Sequence, residues 1–340
     1  MNDAVIVAAR RTPTGKREGM LSGIHPADLS ALVIEDIVST TGIDPNLIDD
    51  VVWGCVTQAG EQTGDIARTA ALSAGLPESV TGVTVDRQCG SSQQALHFVA
   101  AGVASGQYDI AIAGGVESMS RNPMFSSSMG KSPYGTKFKD RYPGDDLNQG
   151  IGAEMIAEKW GFSRTELDEF AVRSHELAAA ATDAGAFESQ IIPVETENGT
   201  VSVDEGIRRG GSVEKLAKLQ TVFKEDGVIH AGNASQISDG SAAMLVMTSQ
   251  RAKELGLTPL VRVHTAVLAG DDPVMMLTAP IPATAKALKK SGLSIDDIGT
   301  FEINEAFAPV PLAWLKETGA NPELLNPHGG AIALGHPLGG

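Results

Sequence analysis

The sequence predicts a layered α/β protein made of two similar halves with a loop-rich insertion between them. Apolar runs of strand length alternate with helix-period patterns along most of the 340 residues. That alternation lets helices cover the faces of sheets. A short repeat marks the halves: Ile48-Asp-Asp-Val recurs as Ile295-Asp-Asp-Ile, an offset of 247 (295 − 48). Each copy follows a helical stretch and precedes an apolar strand. Between them, residues 122–148 are rich in Pro, Gly and Ser with little periodicity, which predicts an excursion of loops.

The elements follow in chain order. Residues 3–9 (DAVIVAA) are an apolar run of strand length, and 26–41 place Leu29, Leu32, Val33 and Ile37 at helical spacing. Residues 50–56 (DVVWGCV) form a second strand. Residues 81–85 alternate like a strand before a Gly-Ser turn, and the helix over 93–104 that follows carries Leu96, Val99, Ala100 and Val103. Residues 109–114 form another strand. Beyond the loop excursion, 153–184 are helical, a polar stretch follows, and regular α/β patterning resumes near Ala242. A strand is expected at Phe301, and 326–340 read as a Gly-rich strand and turn.

Composition narrows the function. The chain is 42% apolar and 20% charged, as in a soluble globular protein. Its length suits two subdomains or one large α/β unit. Twenty-six Lys and Arg against 42 Asp and Glu give a net charge of −16, which disfavours nucleic acid and anionic membranes as partners. The only cysteines, Cys55 and Cys89, exclude a disulfide framework or an all-cysteine zinc site and suit a reducing compartment. No signal-peptide pattern opens the chain and no stretch approaches the ~18 apolar residues of a membrane span, so a cytoplasmic protein is expected.

Cys89 stands out first. It lies at a strand-to-helix turn (VDRQCGSS), where backbone N–H groups and the helix dipole favour a thiolate. Gly90, Ser91 and Ser92 would let a substrate approach it closely; read alone, the residue is equally a small buried hydrophobe. Cys55 sits inside an apolar strand, which points to packing. A nucleophilic thiolate needs a proton partner. His25, His97 and His175 fall in a turn or in helical patterns, where core or surface roles are the default. His336 falls in a Gly-rich bend, and its offset from Cys89 is again 247 (336 − 89). Two halves packed about a pseudo-twofold axis would bring these equivalent turns together.

Three other segments point to chemistry. Asn304 and Glu305 follow the strand expected at Phe301, where α/β folds present ligand-facing residues. Asn304 can orient a water or donate to an oxyanion; an ordinary turn asparagine is the plain alternative. Small residues cluster in HAGNASQISDGSAA (230–243), which permits an extended ligand to pass or simply makes a tight seam. Arg208, Arg209, Lys215, Lys218 and Lys224 face a single acid, Glu214, which suits an anionic group or a solvated helix face.

The segments VIVAARRTPTGK, VDRQCGSSQQAL, AGNASQISDG, INEAFA and GGAIALGHP, in that order along nearly the whole chain, resemble the thiolases. The resemblance implies a five-layer αβαβα fold of two βαβαβαββ halves: a first half beginning over 1–120, an inserted loop domain over 121–241 that binds coenzyme A, and a second half over 242–340. It implies an acyltransferase with no permanently bound cofactor and no metal. Coenzyme A and acetyl-CoA enter as substrates, and the partners are acyl-CoA molecules and further copies of the chain in a homodimer or homotetramer. Cys89 would carry the acyl thioester and His336 would activate it. Asn304 would hold an oxyanion-hole water with Glu305 supporting the loop, and the Cys89 backbone N–H would serve a second oxyanion hole. Ala231 and Ser235 match positions on the pantetheine arm and Arg208 one near the nucleotide. Leu219 and Phe223 line the same groove, and Ala306 and Phe307 border the reacting thioester.

Asn148 and Gln149 stand where biosynthetic acetoacetyl-CoA thiolases carry a His-Met pair, and CVTQAGEQ and SQISDG are more like degradative 3-ketoacyl-CoA thiolases. Thiolytic cleavage of a 3-ketoacyl-CoA is therefore the expected direction, with Claisen condensation of two acetyl-CoA as its reverse. The resemblance also implies a further cysteine in a Cys-x-Gly loop near the C-terminus, the acid/base at the substrate α-carbon. The sequence has none and ends four residues after His336. A truncated chain with an incomplete second half is expected, and with it the alternative of a non-catalytic, thiolase-like CoA-binding protein.

Overall fold

The computed structural model describes residues 2–144 and 147–340. The first half supplies strands β1 (Val5–Arg11) and β2 (Gly15–Lys16), helix α1 (Pro26–Thr41), β3 (Asp50–Gly54), α2 (Ile66–Ser73), β4 (Thr81–Val85), α3 (Ser91–Ser105) and β5 (Ile110–Ser118). The loop region holds α4 (Thr136–Arg141), α5 (Gln149–Trp160), α6 (Arg164–Asp183), the hairpin β6 (Val194–Thr196) and β7 (Gly199–Val201), and α7 (Val213–Leu216). The remainder comprises β8 (Ser238–Met247), α8 (Ser249–Glu254), β9 (Val261–Arg262), α9 (Pro280–Ser291), α10 (Pro309–Thr318) and α11 (Ala331–Leu334).

One mixed sheet organises the molecule, in the order β4-β3-β5-β8-β1-β9 with β2 on β8. β3 pairs in parallel with β4 and β5, whereas β8 runs antiparallel between β5 and β1. β5 is buried along all nine residues because α3 covers one face and α1 the other. This explains its uninterrupted apolar sequence. One core gathers Leu29, Val33, Ile37, Val51, Trp53, Ile112 and Leu245 between the sheet and α1. Ala95, Val99 and Val103 of α3 form the opposite layer with Val52, Ala113 and Val246. A separate core joins α5 and α6 to α10 through Ile156, Leu167, Phe307 and Trp314.

The α/β class holds, and so do the expected strands at 3–9, 50–56, 81–85 and 109–114 and the helices at 26–41 and 93–104. The helical stretch 153–184 is two helices. Ser163 divides them by capping α6: its hydroxyl accepts from Glu166 N–H while the Glu166 carboxylate accepts from Ser163 N–H. The expected boundary at 241/242 falls within β8, whose ten residues all belong to the first sheet. The excursion over 122–148 is mostly loop, with Asp145 and Asp146 outside the described residues.

Two expectations for the second half need correction. Phe301 does not open a strand; it makes an isolated parallel bridge to Leu325. Residues 326–340 are not a strand and turn. They form a turn at Asn326, the single-turn helix α11 and an irregular tail, because the buried side chains of Glu305 and Ser174 and the half-buried Gln236 take up their backbone groups in place of a neighbouring strand.

Candidate active site

Cys89 stands where β4 gives way to α3. Its turn is built by side chains: Asp86 accepts from Gln88 N–H at 2.7 Å, and the Ser91 hydroxyl accepts from Arg87 N–H at 3.0 Å and donates to Gln88 C=O at 2.6 Å. Gln88 takes a φ of 49°, which tightens the turn. The sulfur is thereby held at the N-terminus of a 15-residue helix.

Burial pushes the Cys89 thiol up, and the charges of Glu117 and Asp86 add to this, although the backbone N–H of Cys89 favours the ionised form. Cys55 behaves as packing. It is fully buried, its sulfur accepts from Gln62 Nε2 at 3.3 Å, and burial raises its thiol far above the ordinary range.

The His336 turn reaches the same end of the sheet. Ser238 at the start of β8 accepts from His336 N–H at 3.0 Å, and Ser92 in the first turn of α3 donates to Gly340 C=O at 3.1 Å. Gly54 and Gly115 make this approach possible, since a Cβ on either would collide with the Gly339 carbonyl. Burial lowers His336 to about 4, so the ring is a neutral acceptor at pH 7. Asn304 Nδ2 lies 3.2 Å from His336 Nε2. An amide nitrogen only donates, so Nε2 is the accepting nitrogen and Nδ1 carries the ring proton. Among the described residues no hydrogen bond joins the Cys89 sulfur to His336.

Glu305 anchors the Asn304 loop from beneath. Its carboxylate, 1% exposed, accepts from Ser174 Oγ at 2.6 Å, Asn326 Nδ2 at 2.9 Å and Ile332 N–H at 3.1 Å. Those donors lie on α6, on the turn after the Leu325 bridge and on α11. Burial pushes the Glu305 carboxyl up despite them. Asn326 repeats the fastening by exchanging side-chain hydrogen bonds with the backbone of Ile303.

The residues expected along coenzyme A are brought together around α6, with one at a distance. Ser235 N–H donates to Ala306 C=O at 2.9 Å, and Ala234 pairs antiparallel with Phe307. Phe223 meets Phe307 edge to face at 5.9 Å, and Leu219 closes over Gly232, next to exposed Ala231. Arg208 stands further along, its N–H donating to His175 Nδ1 on α6 at 3.1 Å. Of the neighbouring basic residues, Arg209 is paired with Asp183 and Lys224 lies 3.9 Å from Glu158. Arg208, Lys215 and Lys218 have no carboxylate partner among the described residues.

Several residues that hold this surface escape a reading by sequence. Glu154 accepts from Val228 and Ile229 N–H, and Asp168 binds His230 and Asn233. His175, expected as an ordinary helical residue, is a buried acceptor lowered to about 4 by burial and by Arg208. The only signal was polar side chains at Asp168, Ser174 and His175 among apolar residues on the buried face of α6.

Comparison with known proteins now bears on this geometry. The description "Thiolase, N-terminal domain" matches residues 4–250 and "Thiolase, C-terminal domain" matches 257–340. The chain belongs to the thiolase family. It is 51% identical to the steroid 3-ketoacyl-CoA thiolase FadA6 of Mycobacterium tuberculosis and 45% identical to a 3-ketoacyl-CoA thiolase of Photobacterium profundum. Both matches run over 100% of this chain, and over 85% and 89% of those relatives. The crystal structure of an acetyl-CoA acetyltransferase of Bacillus anthracis superposes with a TM-score of 0.90 at 38% identity, covering 100% of this chain and 89% of that one.

This thiolase is accordingly an acyltransferase with the thiolase-like α/β fold. Relatives named as thiolases and acyltransferases align along all of it, which argues against the alternative of a non-catalytic CoA-binding protein. No described helix is long and apolar enough to cross a membrane.

Proposed function

We propose that this thiolase cleaves 3-ketoacyl-CoA by thiolysis through an acyl thioester on Cys89. His336, a neutral acceptor, takes the Cys89 proton as the sulfur attacks the 3-keto carbon. The oxygen that becomes negative is met by the Asn304 and His336 pair through a bound water, and the Cys89 backbone N–H receives the thioester oxygen in the second stage. The keto C=O re-forms as the C2–C3 bond breaks, its electron pair takes back the proton that His336 accepted from Cys89, and acetyl-CoA leaves. The thiol of a second coenzyme A then accepts the acyl group and frees Cys89. The observation that carries this is the Asn304–His336 contact on a turn braced against the helix that Cys89 begins.

Coenzyme A would lie with its pantetheine arm along Ala231 and Ser235, its thioester beside Ala306 and Phe307, and its nucleotide toward Leu219, Phe223 and Arg208. No permanently bound cofactor is needed, because the thiol, imidazole and amide supply the chemistry. The degradative direction on longer acyl chains is supported by Asn148 and Gln149 in place of the His-Met pair and by the relatives named 3-ketoacyl-CoA thiolases. A cytoplasmic homodimer or homotetramer completes the proposal. Its support is the open edge of β4, where Thr81 and Val83 are exposed, with a further exposed apolar side chain, Phe98, on α3.

Incubation with coenzyme A and either acetoacetyl-CoA or a longer 3-ketoacyl-CoA tests this reading. Acetyl-CoA and a shortened acyl-CoA are expected in equal amounts, faster from the longer substrate. Failure to form acetyl-CoA from either would overturn it.

A further inference from the structure

The acyl-transfer steps above make no use of the buried carboxylate of Asp168, yet it binds three side chains beneath the surface given to coenzyme A. Asp168 and His230 are both fully buried. Gly232 N–H donates to His230 Nδ1 at 3.0 Å, so the ring proton sits on Nε2 and points at Asp168 Oδ1, 2.6 Å away. Asn233 Nδ2 donates to the same oxygen at 3.1 Å, while Arg164 Nε donates to Oδ2 at 3.1 Å.

Each donor holds a different part of that surface. His230 and Asn233 bracket Ala231, and Asn233 C=O accepts from Ala308 N–H at 2.9 Å, which continues the pairing of 234–235 with 306–307. Arg164 extends its other arm to Leu216 C=O at 2.7 Å and Leu219 C=O at 3.0 Å, fixing the opposite rim.

From this arrangement we infer that Asp168 is a positioning residue for coenzyme A, setting the separation between the Ala231–Ser235 segment and the Leu216–Leu219 rim. A buried carboxylate with three donors is rigid, and an amide in its place keeps one acceptor oxygen, so either the His230 and Asn233 side or Arg164 faces an N–H donor in place of an acceptor. The two walls of the groove then lose their common reference. The Cys89 turn does not: it is built from Asp86, Arg87, Gln88 and Ser91, and none of these hydrogen-bonds to Asp168, His230, Asn233 or Arg164.

The inference rests on the placement of coenzyme A proposed above. Its test is the protection of Cys89 from iodoacetamide by coenzyme A, in the wild type, Asp168→Asn and Arg164→Lys. In Asp168→Asn, alkylation without coenzyme A is expected within about twofold of wild type, while the coenzyme A concentration for half protection rises at least about tenfold. Arg164→Lys keeps the charge but loses the forked contacts at a partly exposed site, so it is expected to fold and to shift half protection by about three- to tenfold. If Asp168→Asn does not fold, Arg164→Lys decides. Wild-type protection with an unshifted folded variant would overturn the positioning role alone. No protection of the wild type would overturn the placement of coenzyme A, and the positioning role with it.

Discussion

The Asn304 side-chain amide lies 3.2 Å from His336 Nε2, and the segments that carry the two residues are both tied to one buried carboxylate, Glu305. Asn304 precedes Glu305 directly. His336 follows α11, whose Ile332 N–H donates to that carboxylate. The contact is therefore set by a buried hub and not by the surface loops themselves. Replacing Asn304 with Ala removes the donor while leaving the hub, and is expected to lower kcat by about 10²–10³-fold with KM little changed. Steady-state kinetics with acetoacetyl-CoA measure this split.

Glu305→Gln keeps the shape of the hub but exchanges one acceptor oxygen for a donor facing Ser174, Asn326 or Ile332. A loss of about 1–3 kcal/mol is expected, together with reduced kcat as Asn304 and His336 lose register. Urea unfolding set beside kinetics at a denaturant-free reference checks both.

The thiol and the imidazole rest as a neutral pair. Burial raises Cys89, and His336 is lowered to about 4. In the unliganded protein, alkylation of Cys89 should therefore climb about tenfold per pH unit from pH 7 to 9 without a plateau. A rate levelling off near neutrality would reveal a preformed ion pair instead.

His175 sets an acid limit on stability. Its folded value of about 4 lies below the ordinary 6.5. The contribution is complete above pH 6.5 and is lost as pH falls through 6.5 toward 4, where the unfolded chain binds a proton that the folded chain refuses. The change is at most about 3 kcal/mol. His175→Asn keeps an acceptor for Arg208 N–H and should flatten that part of the stability–pH curve measured by denaturant unfolding.

Gly150 leaves room for an aromatic ring. A Cβ there would enter the ring of Phe223, which packs edge-on against Phe307. Gly150→Ala should displace Phe223 and raise KM for acyl-CoA by about three- to tenfold, with a smaller effect on the rate of Cys89 alkylation.

Sequence patterning went furthest where neighbours are close along the chain. Strands such as 110–118 and helices such as 26–41 carry their own periodicity. It failed where the backbone is held by distant side chains. Residues 326–340 look extended because they are glycine-rich, but Glu305 and Ser174 fold them into α11. The thiolate expected at Cys89 followed from the helix N-terminus alone; burial and the charge of Glu117, 28 residues further on, oppose it. Asp168 was silent because its partners His230 and Asn233 lie more than 60 residues away.

The central claim is a Cys89 acyl thioester, and acetyl-CoA alone tests it, since acetyl transfer to the sulfur needs no proton at the substrate α-carbon. Brief incubation with acetyl-CoA, acid quench and peptide mass spectrometry should find one acetyl group on the Cys89 peptide. None is expected on Cys55, and none at all in Cys89→Ala. An unmodified Cys89 with released coenzyme A, or acetylation retained in Cys89→Ala, would contradict it.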